Sequence, residues 1–438
     1  MTRSRLGWRA LDAVGIPLAY AAAAVLLGVA MPRLEARLFP DLSTAVTTGA
    51  AMSMLSAIAS GMLPLTGLVF SLAFVMVQFS ATAYSPRLVS WFAGSRMMTH
   101  SLGVFTASFL YALAALAWVD RGGSGHVPVI TVWIAIALLM VSIVFFMLLV
   151  ERLSSLQISR VLAYAGDQGR AVIERDYAPI REGAGATPAG DLPGVSQVLH
   201  HQGAPAVVQA VDVRGLVALA SQEGRAVGLA WAVGDTVMDG MPLLRVHGAG
   251  SALDEDRLRR LVKLGADRTF EQDPKYALRL VVDIAIKALS PAVNDPTTAV
   301  QALDQVEDLL LRLGRARLGI GVICDGGGTP RVVMPVPGWH DFLLLALDEI
   351  RGYGAGSVQV MRRMKALIQN LRALLPAERH AALSDWEQRL EGTIERTFEN
   401  ELEKQEASVA DRQGLGIGED APTAPKSRSD AREEAGGA

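Results

Sequence analysis

The stretch that decides the fold is an uncharged run at residues 42–86, which reads LSTAVTTGAAMSMLSAIASGMLPLTGLVFSLAFVMVQFSATAYSP. Its 45 residues include no Asp, Glu, Lys or Arg. As one helix it would be about 67 Å long, well beyond the ~30 Å hydrocarbon layer of a bilayer. Gly61-Met-Leu-Pro64 lies near its middle, and because Gly is flexible and Pro lacks an N–H, this tetrapeptide predicts a break. We therefore predict two helical segments, at 43–60 and 62–82.

Three further stretches without charged residues are each long enough to cross a bilayer, which takes roughly 20 residues of helix. Together with 62–82, they predict membrane spans at about 13–31, 98–119 and 128–150. Arginines precede the first of these, as they do in a secretory signal. Its apolar stretch is longer than a usual signal core, so we interpret it as a signal-anchor helix.

The distribution of arginine favours four crossings over five. With four crossings, only three of the flanking arginines, Arg33, Arg37 and Arg121, lie on one side of the membrane. The other side then holds seven: Arg3, Arg5, Arg9, Arg87, Arg96, Arg152 and Arg160. Because the side richer in arginine is normally cytoplasmic, the pattern predicts a cytoplasmic N-terminus and a cytoplasmic C-terminal region. The segment 43–60 then becomes an interfacial or re-entrant helix rather than a span.

The charge distribution excludes a single soluble domain. The first 150 residues hold 12 of the 85 charged side chains, with a net charge of +4, and the remainder hold 73, with a net charge of −7. Cys324 is the only cysteine, which excludes disulfide scaffolds and multi-cysteine metal sites. The overall net charge of −3 lacks the positive excess that is typical of nucleic-acid-binding proteins, so we expect no nucleic-acid partner.

The region after Val150 has the pattern of a cytoplasmic α+β domain. Short β-branched runs separated by Gly-Asp and Asp-Gly turns predict strands, and the run from Val233 to Leu244 resembles the hairpin of biotinyl-type domains. An amphipathic helix is predicted from Asp254 to Leu264. We divide the region into a helical connector and loop (151–203), a small β module (204–250), an α+β helical domain (251–406) and a disordered tail (407–438).

Two identical start signals stand out in the α+β helical domain. Asp273-Pro274 and Asp295-Pro296 each place an N-cap residue before a proline in the first helical position, and each predicts the beginning of a helix. Further along, Asp325-Gly-Gly-Gly predicts a tight turn between two strands. The adjacent His200 and His201 are predicted to form an exposed loop pair.

Small and polar residues form two stripes in the uncharged run. Helical spacing puts Gly49, Ser53, Ser56 and Ser60 on one stripe and Gly67, Ser71 and Gln78 on a second. One interpretation is close helix packing, in which small residues let backbones approach. The other is a pore or ion path lined by hydroxyls and Gln78. The predicted spans contain no Asp, Glu, Lys or Arg, and His100 lies at the edge of one. This is compatible with a passive channel and does not support an acidic ion-coupled pump.

A second candidate site lies around the two helix starts, at Arg268, Glu271, Asp273, Asn294 and Asp295. These residues would come together if the helices from Pro274 and Pro296 packed with their starts close. Two helix N-termini and Arg268 would favour an anion, whereas the acidic groups would favour a cation such as Mg²⁺ or Ca²⁺. A simpler interpretation makes both aspartates helix caps, with Asn294 closing a turn and Arg268 paired to a carboxylate.

Signature motifs of enzymes are missing from the sequence. It contains no Gly-x-Ser-x-Gly elbow, no phosphate-binding Gly-Lys-Ser/Thr loop and no His-Glu-x-x-His. We therefore expect no catalytic site, no metal centre and no cofactor.

Five motifs carry a resemblance to a known family. They are Gly67-Leu-Val-Phe-Ser-Leu with Gln78-Phe-Ser and Ser85-Pro-Arg87, then Asp267-Arg-Thr-Phe-Glu-Gln-Asp-Pro-Lys-Tyr-Ala-Leu, then Ala288-Leu-Ser-Pro-Ala-Val-Asn-Asp-Pro-Thr-Thr-Ala. In these motifs and their order, the sequence resembles the DUF2254 family of predicted bacterial membrane proteins. The resemblance implies a membrane location and this architecture, and it brings no catalytic residues.

Three functional hypotheses follow for a multi-pass protein of the bacterial inner membrane. The first is an oligomeric, channel-like permeation protein that uses residues 43–80 as a path, with the bilayer and further copies of the chain as partners. The second is a membrane-tethered sensor or scaffold that binds a small ion, ligand or partner near Arg268 and Asp295. The third, a membrane enzyme, has the least support because no nucleophile, base or metal cluster is visible.

Overall fold

The computed structural model describes residues 3–39, 47–83, 96–119, 129–154, 158–177, 192–319 and 321–416. The chain divides into two compact units, Met1–Gln157 and Ile158–Ala438. We refer to them as the membrane unit and the C-terminal unit and describe each by itself. The boundary lies close to the change in composition after Val150.

The described part of the membrane unit consists of four long helices, which are α1 (Arg3–Leu38), α2 (Thr48–Ala83), α3 (Arg96–Leu116) and α4 (Val129–Ser154). Each contains a stretch long and apolar enough to cross a membrane: Gly15–Leu38, Thr48–Leu72, Met97–Leu116 and Val129–Glu151. The prediction of four helices able to cross a membrane is therefore confirmed within the described residues.

The central helix of this unit is α3, which packs against each of the other three. Its side chains Phe105 and Tyr111 are fully buried. Two glycines let α1 and α3 approach closely. A Cβ atom on Gly28 would lie 2.8 Å from Ala114 Cβ, and one on Gly103 would lie 2.7 Å from the Tyr20 ring. Small residues at a contact between membrane helices permit this close approach.

The predicted break in the uncharged run is wrong, because α2 continues without interruption from Thr48 to Ala83 with Pro64 inside it. Proline removes only the bond to the carbonyl four residues earlier. In a bilayer, leaving the helix would expose many more backbone groups that have no water to bond. Residues 48–60 are thus the first part of α2 rather than a separate interfacial or re-entrant helix, and 43–46 lie outside the described residues.

The C-terminal unit mixes helices with two small sheets. Its helices are α5 (Ile158–Asp176), α6 (Val213–Gln222), α7 (Glu255–Arg260), α8 (Pro274–Ala288), α9 (Pro296–Gly314), α10 (Trp339–Tyr353), α11 (Val358–Leu374), a 3-10 turn (Ala377–Arg379), α12 (His380–Thr397) and α13 (Glu401–Ser408). Its strands are β1 (Val195–His200), β2 (Ala206–Val211), β3 (Ala226–Leu229), β4 (Thr236–Val237), β5 (Pro242–His247), β6 (Val262–Gly265), β7 (Val322–Cys324) and β8 (Pro330–Val333).

The strands form a five-stranded sheet in the order β1-β5-β3-β8-β7 and a three-stranded sheet in the order β4-β2-β6. All described neighbours are antiparallel except β3 and β8, which run parallel with Val227 beside Val332. The apolar core of the sheets includes Leu199, Leu216 and Leu244, all fully buried. Leu216 comes from α6, which packs on β3 and β8.

The remaining helices pack around α9, which contacts α5, α8, α10 and α11. The two predicted helix starts are confirmed. Asp273 caps α8 by accepting a hydrogen bond from Tyr276 N, and Asp295 caps α9 by accepting one from Thr298 N. The predicted turn at Asp325 is confirmed as well, since Gly328 N donates to Asp325 O and the turn joins β7 to β8.

The β structure extends beyond the predicted module at 204–250. Strand β1 comes from the predicted connector, and β7 and β8 join from the predicted helical domain. The run from Val233 to Leu244 is not a hairpin, because β4 and β5 belong to different sheets. The predicted helix from Asp254 to Leu264 ends at Arg260, since Val262 begins β6 and pairs with Val211. For the Val233 run and the end of the helix, pairing with distant strands overrides the local pattern. Strands β7 and β8 are the two that were predicted on either side of the Asp325 turn.

Two smaller predictions also need correction. His201 is 6% exposed, and its Nε2 is 2.9 Å from the carbonyl oxygen of Ala204, whereas its neighbour His200 is exposed as predicted. The prediction of a disordered tail from residue 407 is wrong for its first ten residues, 407–416, which the structure describes. Ala407 is fully buried, and Asp411 N donates to Arg362 O. Residues 417–438 lie outside the described residues.

Candidate functional site

The continuity of α2 merges the two predicted stripes into one face. At about 100° per residue, Gly49, Ser53, Ser56, Ser60, Gly67, Ser71 and Gln78 all fall within a band of about 60°. The first six are exposed, and the side chain of Gln78 lies outside the described part. The opposite side of α2 carries the buried residues Ala51, Leu55, Met62 and Val69. The small and hydroxyl residues therefore face away from the chain's own bundle.

The surroundings of its glycines distinguish this face of α2 from the helix contacts inside the bundle. Gly49 and Gly67 have no atom within 4 Å of the position where a Cβ would stand, whereas Gly28 and Gly103 lie in close contact with neighbouring helices. The packing interpretation thus does not hold within a single chain. Close approach at Gly49 and Gly67 would require another chain.

Only some of the hydroxyl groups on this face form a hydrogen bond with a residue that the structure describes. Ser60 Oγ donates to Ser56 O at 2.7 Å, which is the usual bond of a serine to the preceding helical turn. Ser53 and Ser71 have no side-chain hydrogen bond to any residue that the structure describes. Phe74 is a large side chain in the same band, so the face is mostly, though not wholly, small.

The membrane unit contains a buried carboxylate that is not among the residues predicted from the sequence. Glu35 of α1 is 2% exposed and accepts hydrogen bonds from Ile130 N at 2.7 Å, Thr131 N at 3.0 Å and Thr131 Oγ1 at 3.0 Å. It therefore caps the N-terminus of α4, where backbone N–H groups lack helical partners. The first candidate span reaches Leu38 rather than residue 31, so the expectation of spans without Asp, Glu, Lys or Arg is wrong here. An acidic residue just after an apolar run was the only local signal.

The cluster around Arg268 forms part of the predicted second site. Arg268 donates to Asp273 Oδ2 through Nε at 2.9 Å and Nη2 at 2.6 Å, and Asp273 is 1% exposed. Burial raises the pKa of the Asp273 carboxyl above its ordinary value, while the Arg268 guanidinium opposes that shift. Glu271, two residues before Asp273, pairs with Lys263 instead.

Asn294 and Asp295 lie at the other end of α8. Asp295 N donates to Ala288 O at 2.8 Å, which places it where α8 ends, whereas Asp273 stands where α8 begins. The 15 residues of α8 separate the two helix starts by about 22 Å. The structure therefore does not bring the five predicted residues together. Asn294 has φ +48°, a left-handed conformation that Asn tolerates well, and it closes the turn between the helices.

An open cavity of about 900 Å³ lies in the C-terminal unit beside Glu271. Its charged lining consists of Arg175, Arg214, Arg260, Lys263, Arg317, Asp176, Asp212 and Glu271. Its apolar lining includes Val211, Val233, Leu261, Ile323, Met334 and Val336. This cavity was not predictable from the sequence, because its walls come from segments far apart in the chain. Only Glu271 among the predicted site residues lines it.

Comparisons with known proteins place the chain among membrane proteins. The family model described as "Predicted membrane protein (DUF2254)" matches residues 13–370. Similar proteins include an uncharacterized protein of Mycobacterium bovis and one of Mycobacterium tuberculosis, each 30% identical over 342 residues. The alignments cover 75% of this chain and 64% of each relative, so the chain spans less than two thirds of their length. No solved structure matches the chain.

The family match begins within α1 and ends within α11. It therefore includes the other three membrane helices, both sheets, and the helices α8 and α9 with their caps. The motifs that suggested the resemblance all fall inside it. The chain belongs to the DUF2254 family of predicted membrane proteins.

Proposed function

We propose that this protein is a homo-oligomeric, channel-like membrane protein in which copies of α2 meet along the face of Gly49, Ser53, Ser60, Gly67 and Ser71. A small ion or solute would pass along this hydroxyl-bearing face. The C-terminal unit would serve as an assembly or regulatory domain. The outward exposure of this face is the observation that carries the proposal.

The chemistry of membrane helices supports this assignment. Lipid tails are as apolar as leucine, so helices associate through close packing of small residues and through hydrogen bonds between them. Glycine in a helix interior costs about 1 kcal/mol relative to alanine. In an isolated chain, Gly49 and Gly67 gain no contact in return. Other parts of the outer surface of the bundle include large side chains such as Leu26 and Met147, which are 70% and 66% exposed.

The length of the face also supports a transmembrane role. From Gly49 to Ser71, α2 rises by about 33 Å, close to the ~30 Å hydrocarbon layer. Gly49 and Gly67 are 18 residues apart, or about five helical turns, so they point in the same direction. The face therefore extends across the whole apolar layer.

The proposed orientation places the N-terminus and the C-terminal unit in the cytoplasm of a bacterial inner membrane. With the four candidate spans, Arg87, Arg96 and Arg152 fall on the same side as the N-terminal arginines. This excess supports that orientation through the positive-inside rule.

The test replaces a glycine on the face and a matched glycine off it. Gly67 and Gly61 are both exposed residues of α2 with no atom within 4 Å of the position where a Cβ would stand, and they differ in direction by about 120°. Gly67→Leu should reduce both the oligomeric fraction of the full chain in lipid nanodiscs and its conductance in planar bilayers. Gly61→Leu should leave both unchanged. A monomeric wild-type chain without conductance, or equal effects of the two variants, would refute the proposal.

A second candidate function is a membrane-tethered sensor or scaffold that binds a ligand through the C-terminal unit. The open cavity favours it, since a volume of about 900 Å³ is within the range of small-molecule sites. Its test is whether a ligand of that cavity changes the assembly or conductance of the full chain.

A further inference from the structure

We infer that the cavity of the C-terminal unit is a binding site for a small organic phosphate, with Arg214 and Arg260 as its principal anion-binding groups. This assignment rests on the second candidate function and is independent of the first. None of the residues predicted from sequence as ligand-binding has this role.

The charges of the lining leave an excess of positive charge. Among the described residues of the lining, five side chains are cationic and three are acidic. The acidic groups are already engaged. Asp176 pairs with Arg175 at 2.7 Å, Glu271 pairs with Lys263, and Asp212 caps α6 by accepting from Gly215 N at 2.9 Å.

Arg214 and Arg260 are the cationic groups of the lining that have no ion pair with any residue the structure describes. Both are exposed. Guanidinium groups form paired, charge-assisted hydrogen bonds with phosphate oxygens. Two such groups on one concave surface therefore favour a ligand with negative charge.

The backbone brings these two arginines to the same place. Arg214 lies in the first turn of α6, and Arg260 is the last residue of α7. The two helices are joined where Asp212 N donates to Leu261 O at 2.8 Å. Arg214 is two residues from the donor, and Arg260 is next to the acceptor. Their proximity is thus fixed by the backbone rather than by the side chains.

The rest of the lining distinguishes an organic phosphate from a simple inorganic ion. Val233, Met334 and Val336 are apolar side chains of the wall, and a ligand with an apolar or aromatic part would cover them. Gln272 holds the backbone of Val211, another residue of this wall, in place. Its side-chain amide accepts a hydrogen bond from Val211 N at 2.9 Å and donates one to Val211 O at 3.1 Å. The cavity therefore combines a fixed apolar wall with cationic groups.

The experiment measures binding to the full chain in detergent by isothermal titration calorimetry, with ATP, AMP and inorganic phosphate as probes. ATP should bind, and its affinity should fall by about tenfold in Arg214→Ala and in Arg260→Ala, as expected for loss of a hydrogen bond to a charged group. Arg214→Lys should retain part of the affinity. Arg245→Ala is the matched control, because Arg245 is an exposed arginine of the same unit that lies outside the lining.

Several results would overturn the assignment. They are no binding of ATP or AMP at about 1 mM, equal affinities for inorganic phosphate and ATP, or equal losses in Arg214→Ala and Arg245→Ala. Sedimentation with phosphatidylserine vesicles that depends on Arg214, in the absence of nucleotide binding, would assign these arginines to a membrane surface instead. If ATP binds as expected but changes neither assembly nor conductance, the binding site is confirmed and the sensor function is refuted.

Discussion

Replacing Glu35 by alanine tests whether the hydrogen bonds of one carboxylate stabilise the contact between α1 and α4. The side chain is buried and accepts three hydrogen bonds from Ile130 and Thr131 at the start of α4. Alanine removes all three at once. The two backbone N–H groups then have no helical acceptor, because they belong to the first turn.

The expected loss in the free energy of unfolding follows from these three hydrogen bonds. Loss of an N-cap side chain typically costs about 1 kcal/mol and up to about 2, and each buried donor left without a partner adds about 1–3 kcal/mol. The Thr131 hydroxyl can rotate to another acceptor, so it adds little. We expect Glu35→Ala to lower the free energy of unfolding by about 3 kcal/mol. Glu35→Gln retains an acceptor oxygen of similar reach and should cost about 1 kcal/mol.

The assay is unfolding of the full chain by sodium dodecyl sulfate in mixed micelles, followed by tryptophan fluorescence. Glu151→Ala is the matched control, because Glu151 is an exposed glutamate near the other end of α4. It should change stability by no more than about 0.5 kcal/mol. If Glu35→Ala behaved like Glu151→Ala, the capping argument would be wrong. Equal losses in Glu35→Gln and Glu35→Ala would show that charge, rather than the acceptor geometry, holds the helices.

Three further predictions concern other parts of the chain. Arg268→Ala should destabilise the protein by about 3 kcal/mol at pH 7, because it leaves the Asp273 carboxylate buried without its partner. This loss of stability, measured by thermal unfolding, should become smaller as the pH falls. Burial raises the pKa of Asp273 in the folded state. The contribution of Asp273 to stability is therefore greatest below its unfolded pKa and declines as the pH rises through its folded pKa. Gly28→Ala should cost about 1–3 kcal/mol in the same mixed-micelle assay, because its Cβ would lie 2.9 Å from the Tyr111 carbonyl oxygen, whereas Gly61→Ala should be neutral or stabilising by up to about 1 kcal/mol. Alkaline phosphatase fused after Ser408 should be inactive in bacterial cells, as expected for a cytoplasmic C-terminal unit; an active fusion would reverse the proposed orientation.

Much of the secondary structure was accessible from local sequence. The charge-free runs predicted four membrane helices because length and apolarity alone decide whether a helix can cross a bilayer. Asp273-Pro274 and Asp295-Pro296 predicted helix starts because the cap bond reaches only three residues along the chain. The turn at Asp325 was likewise predictable, since its bonds to Gly327 N and Thr329 N are local.

The candidate sites were only partly predictable. Helical spacing identified the members of the α2 face, but the expected break at Gly61–Pro64 divided it into two stripes. That break failed because a helix in lipid retains its backbone hydrogen bonds even with a proline inside. Whether the face points inward or outward depends on how α2 packs against α3 and α4, which spacing does not specify.

What the sequence alone determined is the division into a membrane unit and a C-terminal unit, the number of membrane helices, and the helix caps. Tertiary structure decided the rest. It placed Asp273 and Asp295 at opposite ends of α8, joined β3 to β8, and gave Glu35 its partners 95 and 96 residues away. It also assembled the cavity around Arg214 and Arg260. The physical reason is range: caps, turns and apolar length act over a few residues, whereas strand pairing, buried carboxylates and cavities depend on which distant surfaces exclude water together.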